Sequence, residues 1–197
     1  MENLVITKNE KSTILFLSIW IFLVFREKLT FIDNNIYSFF IGFKTDLLTN
    51  IVRLITNIGG AYVLVTIAFL ILIFVKNKKV GWFVSLNLIL SYLLNEILKR
   101  IFRRNRPLFT HLVKESGFSF PSGHAMVSFC FYGLIIFLIH RSKLKYKKYY
   151  EGLLSILILI IGSTRIYLGV HYFSDIIAGF GFGLLYLLFF IRFFKLK

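Results

Sequence analysis

Apolar residues in this chain are gathered into long blocks free of Asp, Glu, Lys and Arg: Ser12–Phe25, Leu54–Val75, Val80–Asn95, Ser116–His140, Gly152–Thr164 and Ile176–Ile191. A helix needs about 20 predominantly apolar residues to cross the hydrocarbon of a bilayer, and blocks of this kind bounded by charges predict transmembrane helices. The pattern therefore predicts an all-α polytopic membrane protein, with six transmembrane helices in a bundle. Several blocks are shorter than a full span, so flanking charged side chains must snorkel or sit in polar space lined by protein. Residues 27–53 differ: Ile36, Phe39, Phe40, Phe43, Leu47, Leu48 and Ile51 recur at roughly helical spacing between Asp33, Lys44 and Asp46. That spacing predicts a short amphipathic segment lying along the interface after the first helix. No repeat, low-complexity tract or long linker divides the chain, and a single domain over 1–197 is expected.

Composition agrees with the pattern. Of 197 residues, 57% are hydrophobic, against about 45–50% in ordinary soluble domains. The formal net charge of +15 would point to nucleic acid in a soluble protein. Here the 24 Lys and Arg sit mostly at the ends of apolar blocks, where they meet anionic headgroups; no nucleic-acid partner is expected. Cys130 is the only cysteine and lies between Phe129 and Phe131, which rules out an intrachain disulfide and a cysteine-rich metal site. Lys8 and Lys11 before the first block resemble a signal peptide, yet no small-residue cleavage site follows at Phe25-Arg26-Glu27, so a retained first helix is expected. With the N-terminus inside, 13 Lys and Arg face the cytoplasm, including Lys8 and Lys197, against 8 outside once Lys99, Arg106 and Arg165 are set apart as candidate ligands. The positive-inside rule then places both termini in the cytoplasm.

Three polar motifs interrupt the apolar pattern: Lys99 with Arg106-Pro107, then Pro121-Ser122-Gly123-His124, then Arg165 with His171 and Asp175. Ionisable groups are costly in such surroundings and mark functional sites. Lys99 and Arg106 follow the third block and His124 begins the fourth, so they share one membrane face. From His124 to Arg165 the chain has room to cross, turn through the basic stretch 141–148 and return. Arg165, His171 and Asp175, between the fifth and sixth spans, therefore come out beside the first two motifs. Under the orientation above this is the extracytoplasmic side. The residue types suit phosphoryl transfer, which is mostly positioning and charge stabilisation. Lys99, Arg106 and Arg165 can clamp phosphate oxygens; Ser122 and Gly123, at the start of an apolar helix, add a hydroxyl and backbone N–H groups at a positive helix end.

The pattern K-x6-RP, PSGH and R-x5-H-x3-D resembles the type 2 phosphatidic acid phosphatase family of membrane lipid phosphatases. The motifs cover residues 99–107, 121–124 and 164–175, and the six-helix pattern extends the likeness over nearly the whole chain. One position departs: Thr164 stands where the family usually has Ser. The resemblance implies a lipid phosphatase in which His171 attacks phosphorus to give a phosphohistidine. Asp175 then holds the imidazole tautomer and stabilises its developing charge, while His124 protonates the leaving oxygen and afterwards activates water. No metal and no cofactor are expected, since Asp175 is the only carboxylate within the motifs. The expected partners are the bilayer and a membrane lipid with an anionic phosphate head: phosphatidylglycerol phosphate, undecaprenyl diphosphate or phosphatidic acid. A bacterial cell membrane is the expected location. A phosphotransferase of the same family and a transporter with a charged path remain as alternatives. Outside the motifs, Glu96 is expected to pair with Lys99 or Arg100, and His111 and His140 to be loop or interfacial residues. Arg100, Arg103 and Arg104 are expected to attract anions or anchor the chain, and Gly179, Gly181 and Gly183 to permit close helix packing.

Overall fold

A computed structural model describes residues 7–196; Lys197 and the side chain of Lys8, both counted in the orientation argument, lie outside what is described. Eight helices follow one another: α1 Lys8–Phe25, α2 Thr30–Ile41, α3 Asp46–Ile58, α4 Ala61–Phe74, α5 Lys78–Phe102, α6 Gly123–Arg141, α7 Lys147–Tyr167 and α8 Phe173–Phe193. No strand occurs among the described residues. Helix α6 is the hub, packed on α5, α7 and α8, and α1 lies along α8. It buries Ala125, Met126, Val127, Cys130, Phe131 and Leu134. The outer faces stay apolar, with Phe74 76%, Leu54 70% and Trp82 67% exposed, a surface suited to hydrocarbon rather than water. The protein is an all-helical membrane bundle.

Length and composition match the expected six crossings in part. Among the described residues four helices, α5 to α8, are long and apolar enough to cross a membrane; α3 and α4, bent by 44°, make a fifth if taken as one broken span. Helix α1 has 18 residues but opens with Lys8, Glu10 and Lys11. A capping box starts it, Thr7 N donating to Glu10 Oε2 at 2.7 Å and Glu10 N to Thr7 Oγ1 at 3.3 Å. It is tied to α8 at both ends, by Trp20 Nε1 donating to Ser174 O at 3.0 Å and by an ion pair between Glu10 and Arg192.

The other boundaries shift for local reasons. The interfacial segment is two helices, because the chain turns at 42–45 and Thr45 caps α3 through its hydroxyl, which accepts from Leu48 N at 3.1 Å. Helix α3 buries Thr49, Val52 and Thr56, a largely polar inner face that a search for charge-free blocks passes over. The block expected from Leu54 breaks at Gly59-Gly60; a Cβ on Gly59 would sit 2.4 Å from Ile161 and 2.6 Å from Ser128 Oγ. Helix α5 runs seven residues past Asn95 to Phe102, since Glu96 and Lys99 pair on it at 3.6 Å. The fourth span begins at Gly123 rather than Ser116: Pro121 and extended Ser122 (ψ 121°) hold residues 116–122 as a loop. Helix α7 carries Arg165 on its last turn.

Candidate active site

Because α5 to α8 alternate in direction, four helix ends meet on one face: the C-terminal turns of α5 and α7, and the N-terminal turns of α6 and α8. The ends of α6 and α8 bring positive dipole termini to that face. Lys99 sits on the last turn of α5, Gly123 and His124 on the first of α6, Arg165 on the last of α7, His171 in the turn before α8, and Asp175 on the first turn of α8. Arg106 comes from the loop after α5. Small residues allow the close approach. A Cβ on Gly179 would lie 3.0 Å from Ser122 O, and one on Gly123 would lie 3.0 Å from Asn95 Oδ1 and 3.6 Å from Lys99 Nζ. Gly169 has φ +74°, and a Cβ there would meet Thr110 O at 2.4 Å, so this turn requires glycine on both counts.

His171 is 2% exposed and Asp175 fully buried. Their side chains lie 3.5 Å apart, His171 Nδ1 to Asp175 Oδ2, and Ser119 stands beside both. The Ser119 hydroxyl donates to Asp175 Oδ2 at 2.5 Å, so toward His171 Nδ1 at 3.2 Å it accepts. Nδ1 therefore carries the ring proton. On the other edge Arg106 Nη1, which can only donate, lies 3.3 Å from Nε2. Both contacts require the same neutral tautomer, with the Nε2 lone pair turned toward the cations. Burial, opposed by Asp175, lowers His171 to a pKa of about 4, which keeps the ring neutral at ordinary pH. Ser119 lies two residues before the second motif and was not among the expected residues; its proximity to Pro121 was the only signal in the sequence.

A second residue outside the motifs, Glu115, organises the cations. Its carboxylate hydrogen-bonds Arg165 Nη2 and lies 3.6 Å from Arg106 Nη2. Burial pushes this carboxyl up, but the charge and hydrogen bond of Arg165, with Arg106 behind, outweigh burial and hold it below its usual value. Arg165 is 1% exposed and donates from Nη1 to Thr56 Oγ1 at 2.9 Å. Arg106 is further held by Ser116 O, Gly117 O and Val170 O at 2.8, 3.1 and 2.9 Å. The Thr164 hydroxyl that replaces the family's usual serine turns back onto Ile161 O at 2.6 Å.

A cavity of about 730 Å³ runs from this cluster into the bundle. Lys99, Arg106, Glu115, Gly123, His124 and His171 line its polar end; Leu64, Val65, Leu88, Ile89, Leu93 and Val127 line the rest. Arg165, Ser122 and Asp175 do not line it. Arg165 lies behind Glu115, and buried Ser122 Oγ has no hydrogen-bond partner, nor has Arg165 Nε. Among the described residues no group of three or more His, Cys, Asp or Glu is placed to hold a metal ion. Glu96 pairs with Lys99, as noted; His111 lies 2.9 Å from Pro107 O and His140 3.3 Å from Glu151 on the opposite face.

Residues 80–197, which carry all three motifs, match the family model for the PAP2 superfamily. The chain belongs to the PAP2 superfamily. This PAP2 chain is 44% identical over 96 residues to phosphatidylglycerophosphatase B of Bacillus subtilis strain 168. That stretch is 47% of the chain and 47% of the relative, so the match spans under half the length of that protein. Over 172 residues, 84% of the chain and 80% of the relative, it is 26% identical to an undecaprenyl-diphosphatase of Sulfolobus acidocaldarius. Its structure is similar to the crystal structure of a transmembrane PAP2-type phosphatidylglycerolphosphate phosphatase from Bacillus subtilis, with TM-score 0.88, 29% identity, and coverage of 97% of this chain and 98% of that one.

Proposed function

We propose that this PAP2 chain is an integral membrane lipid phosphatase that releases phosphate from a lipid phosphate or diphosphate. One observation carries the reading: a single cavity joins a polar end at His171, His124, Lys99 and Arg106 to an apolar wall shared by α4, α5 and α6. Residues of that wall, among them Val65 at 57% and Ile89 at 55% exposure, also face the bilayer side. A lipid tail lies along this wall while its phosphate meets the cations. Phosphatidylglycerol phosphate, undecaprenyl diphosphate and phosphatidic acid share that chemistry, and the named relatives act on substrates of the first two kinds by their names.

In the proposed reaction the phosphate displaces Glu115 from Arg106 and Arg165, and Lys99 neutralises a third oxygen. His171 Nε2 attacks phosphorus and the bond to the leaving oxygen breaks, that oxygen taking a proton from His124. Asp175, with Ser119, holds the Nδ1 proton and balances the positive ring of the phosphohistidine. Water then attacks phosphorus and gives its proton to His124, which frees phosphate and restores Nε2. The Gly123 and Ser122 N-terminus of α6 supplies further positive potential. The excess of basic residues on the opposite face supports cytoplasmic termini and an extracytoplasmic site in a bacterial cell membrane. The test is phosphate release from a panel of lipid phosphates by the purified chain in chelator. Release that is abolished by His171→Ala is expected. No release from any member, or release that survives His171→Ala, would refute the reading.

A further inference from the structure

Behind Asp175 lies a second charged cluster that the proposed reaction does not use. Asp33, from the short helix α2, is 1% exposed. Its Oδ1 accepts from Ser174 N at 2.8 Å, and its Oδ2 accepts from Ser174 Oγ at 2.7 Å and from Arg104 Nη2 at 3.2 Å. The other arm of the same guanidinium, Nη1, donates to Asp175 Oδ1 at 2.6 Å and to Ser174 Oγ at 2.8 Å. Arg104 also lies over the Tyr172 ring, 4.0 Å from its centroid. Asp33 thus satisfies an N–H in the first turn of α8 from a different helix, and Arg104 bridges two buried carboxylates.

We propose that Asp33 and Arg104 are positioning residues that hold Asp175 in register with His171, making α2 a working part of the active site. The inference rests on the lipid phosphatase reading for its kinetic consequence. A tie between α2 and α8 needs only the Asp33–Ser174 contacts. The guanidinium goes further and occupies Asp175 Oδ1, while Tyr172 N at 2.9 Å and Ser119 Oγ occupy Oδ2. Every contact fixes the rotation of that carboxylate, and its rotation decides whether Oδ2 faces the Nδ1 edge of His171. Without the Arg104 arm, the carboxylate turns and the Nδ1–H tautomer loses its hold.

The experiment is a double-mutant cycle. Asp33→Asn and Arg104→Lys, the second retaining charge but not the two-armed bridge, should each lower kcat about 10–100-fold, by analogy with the outer partners that orient metal-ligating histidines, with KM unchanged within about twofold. In an Asp175→Asn background neither should lower kcat further. Multiplicative losses in that background would overturn the proposal, as would a fall in melting temperature with kcat intact. A second readout needs no turnover: the side-chain ¹⁵N shifts of His171 should report Nδ1–H in the unmodified protein and a tautomer mixture in Arg104→Lys and Asp33→Asn. An unchanged tautomer in both, with a change in Asp175→Asn, would also overturn it. If the unmodified protein released phosphate from no lipid, the phosphatase reading would fall while the tautomer result still decided the positioning role.

Discussion

Glu115→Gln separates two things the carboxylate does at once. In the free protein it neutralises Arg165, a guanidinium 1% exposed whose other partner is the neutral Thr56 hydroxyl. In the proposed reaction it competes with the substrate for the same cations. A hydrogen bond to a charged group contributes about 1.5–3 kcal/mol; with Glu115 only partly buried, about 2 kcal/mol is a reasonable discounted figure for the pairing. Glutamine keeps the shape and loses the charge, so the free variant should be less stable by roughly that amount. Phosphate no longer has to displace a carboxylate, so its dissociation constant should fall by about 30-fold, the same 2 kcal/mol converted. At 100 times its dissociation constant, phosphate returns about 2.7 kcal/mol, which more than offsets the loss and takes the variant slightly above the stability of the free wild type. Thermal unfolding followed by tryptophan fluorescence across a phosphate titration measures both effects, and product inhibition by phosphate checks the second. Phosphate that binds Glu115→Gln no more tightly than wild type would refute the reasoning.

Further outcomes follow from the same geometry. Because burial lowers His171 to about 4, the acid limb of kcat/KM, where the nucleophile takes up its proton, should lie near 4; an acid limb at the ordinary histidine value of about 6.5 would place the nucleophile elsewhere. Between those values the unfolded chain binds the proton that folded His171 refuses, so this residue's contribution to stability declines as pH falls from about 6.5 toward 4, as acid unfolding curves would show. Ser119→Ala leaves only the 3.5 Å approach of Asp175 to Nδ1 and should lower kcat about tenfold, in line with outer-shell partners of histidines; full activity in steady-state assays would remove Ser119 from the site. His124→Ala should slow phosphoenzyme formation about 10²–10⁴-fold with a glycerol lipid, whose alkoxide needs a proton. The loss should be far smaller with a nitrophenyl phosphate, and equal losses in single-turnover measurements would reassign His124 to phosphate positioning.

The helical membrane class was legible because charge-free blocks and a bilayer's thickness leave few other solutions. So was the convergence of the three motifs, since an even number of crossings returns the chain to one face. Helix ends were less legible. Lys99 and Arg165 lie on helices because protein-lined polar space and partners such as Glu96 and Glu115 let charged residues continue a helix that a hydropathy reading stops. The buried polar face of α3, with Thr49 and Thr56, was invisible for the same reason. Ser119 and Glu115 were missed because a serine and a glutamate in a loop acquire meaning only from what lies across from them. In the sequence Asp33 is a charge between apolar interfacial positions, and its contacts lie 71 and 141 residues away.

The central claim is that His171 carries the phosphoryl group. Rapid quenching of the purified protein with a ³²P-labelled lipid phosphate, followed by peptide mapping, tests it directly. The account predicts an acid-labile, alkali-stable label on the peptide containing His171, absent from His171→Ala and discharged as inorganic phosphate on the time scale of turnover. Label on another residue, or label retained by His171→Ala, would contradict it.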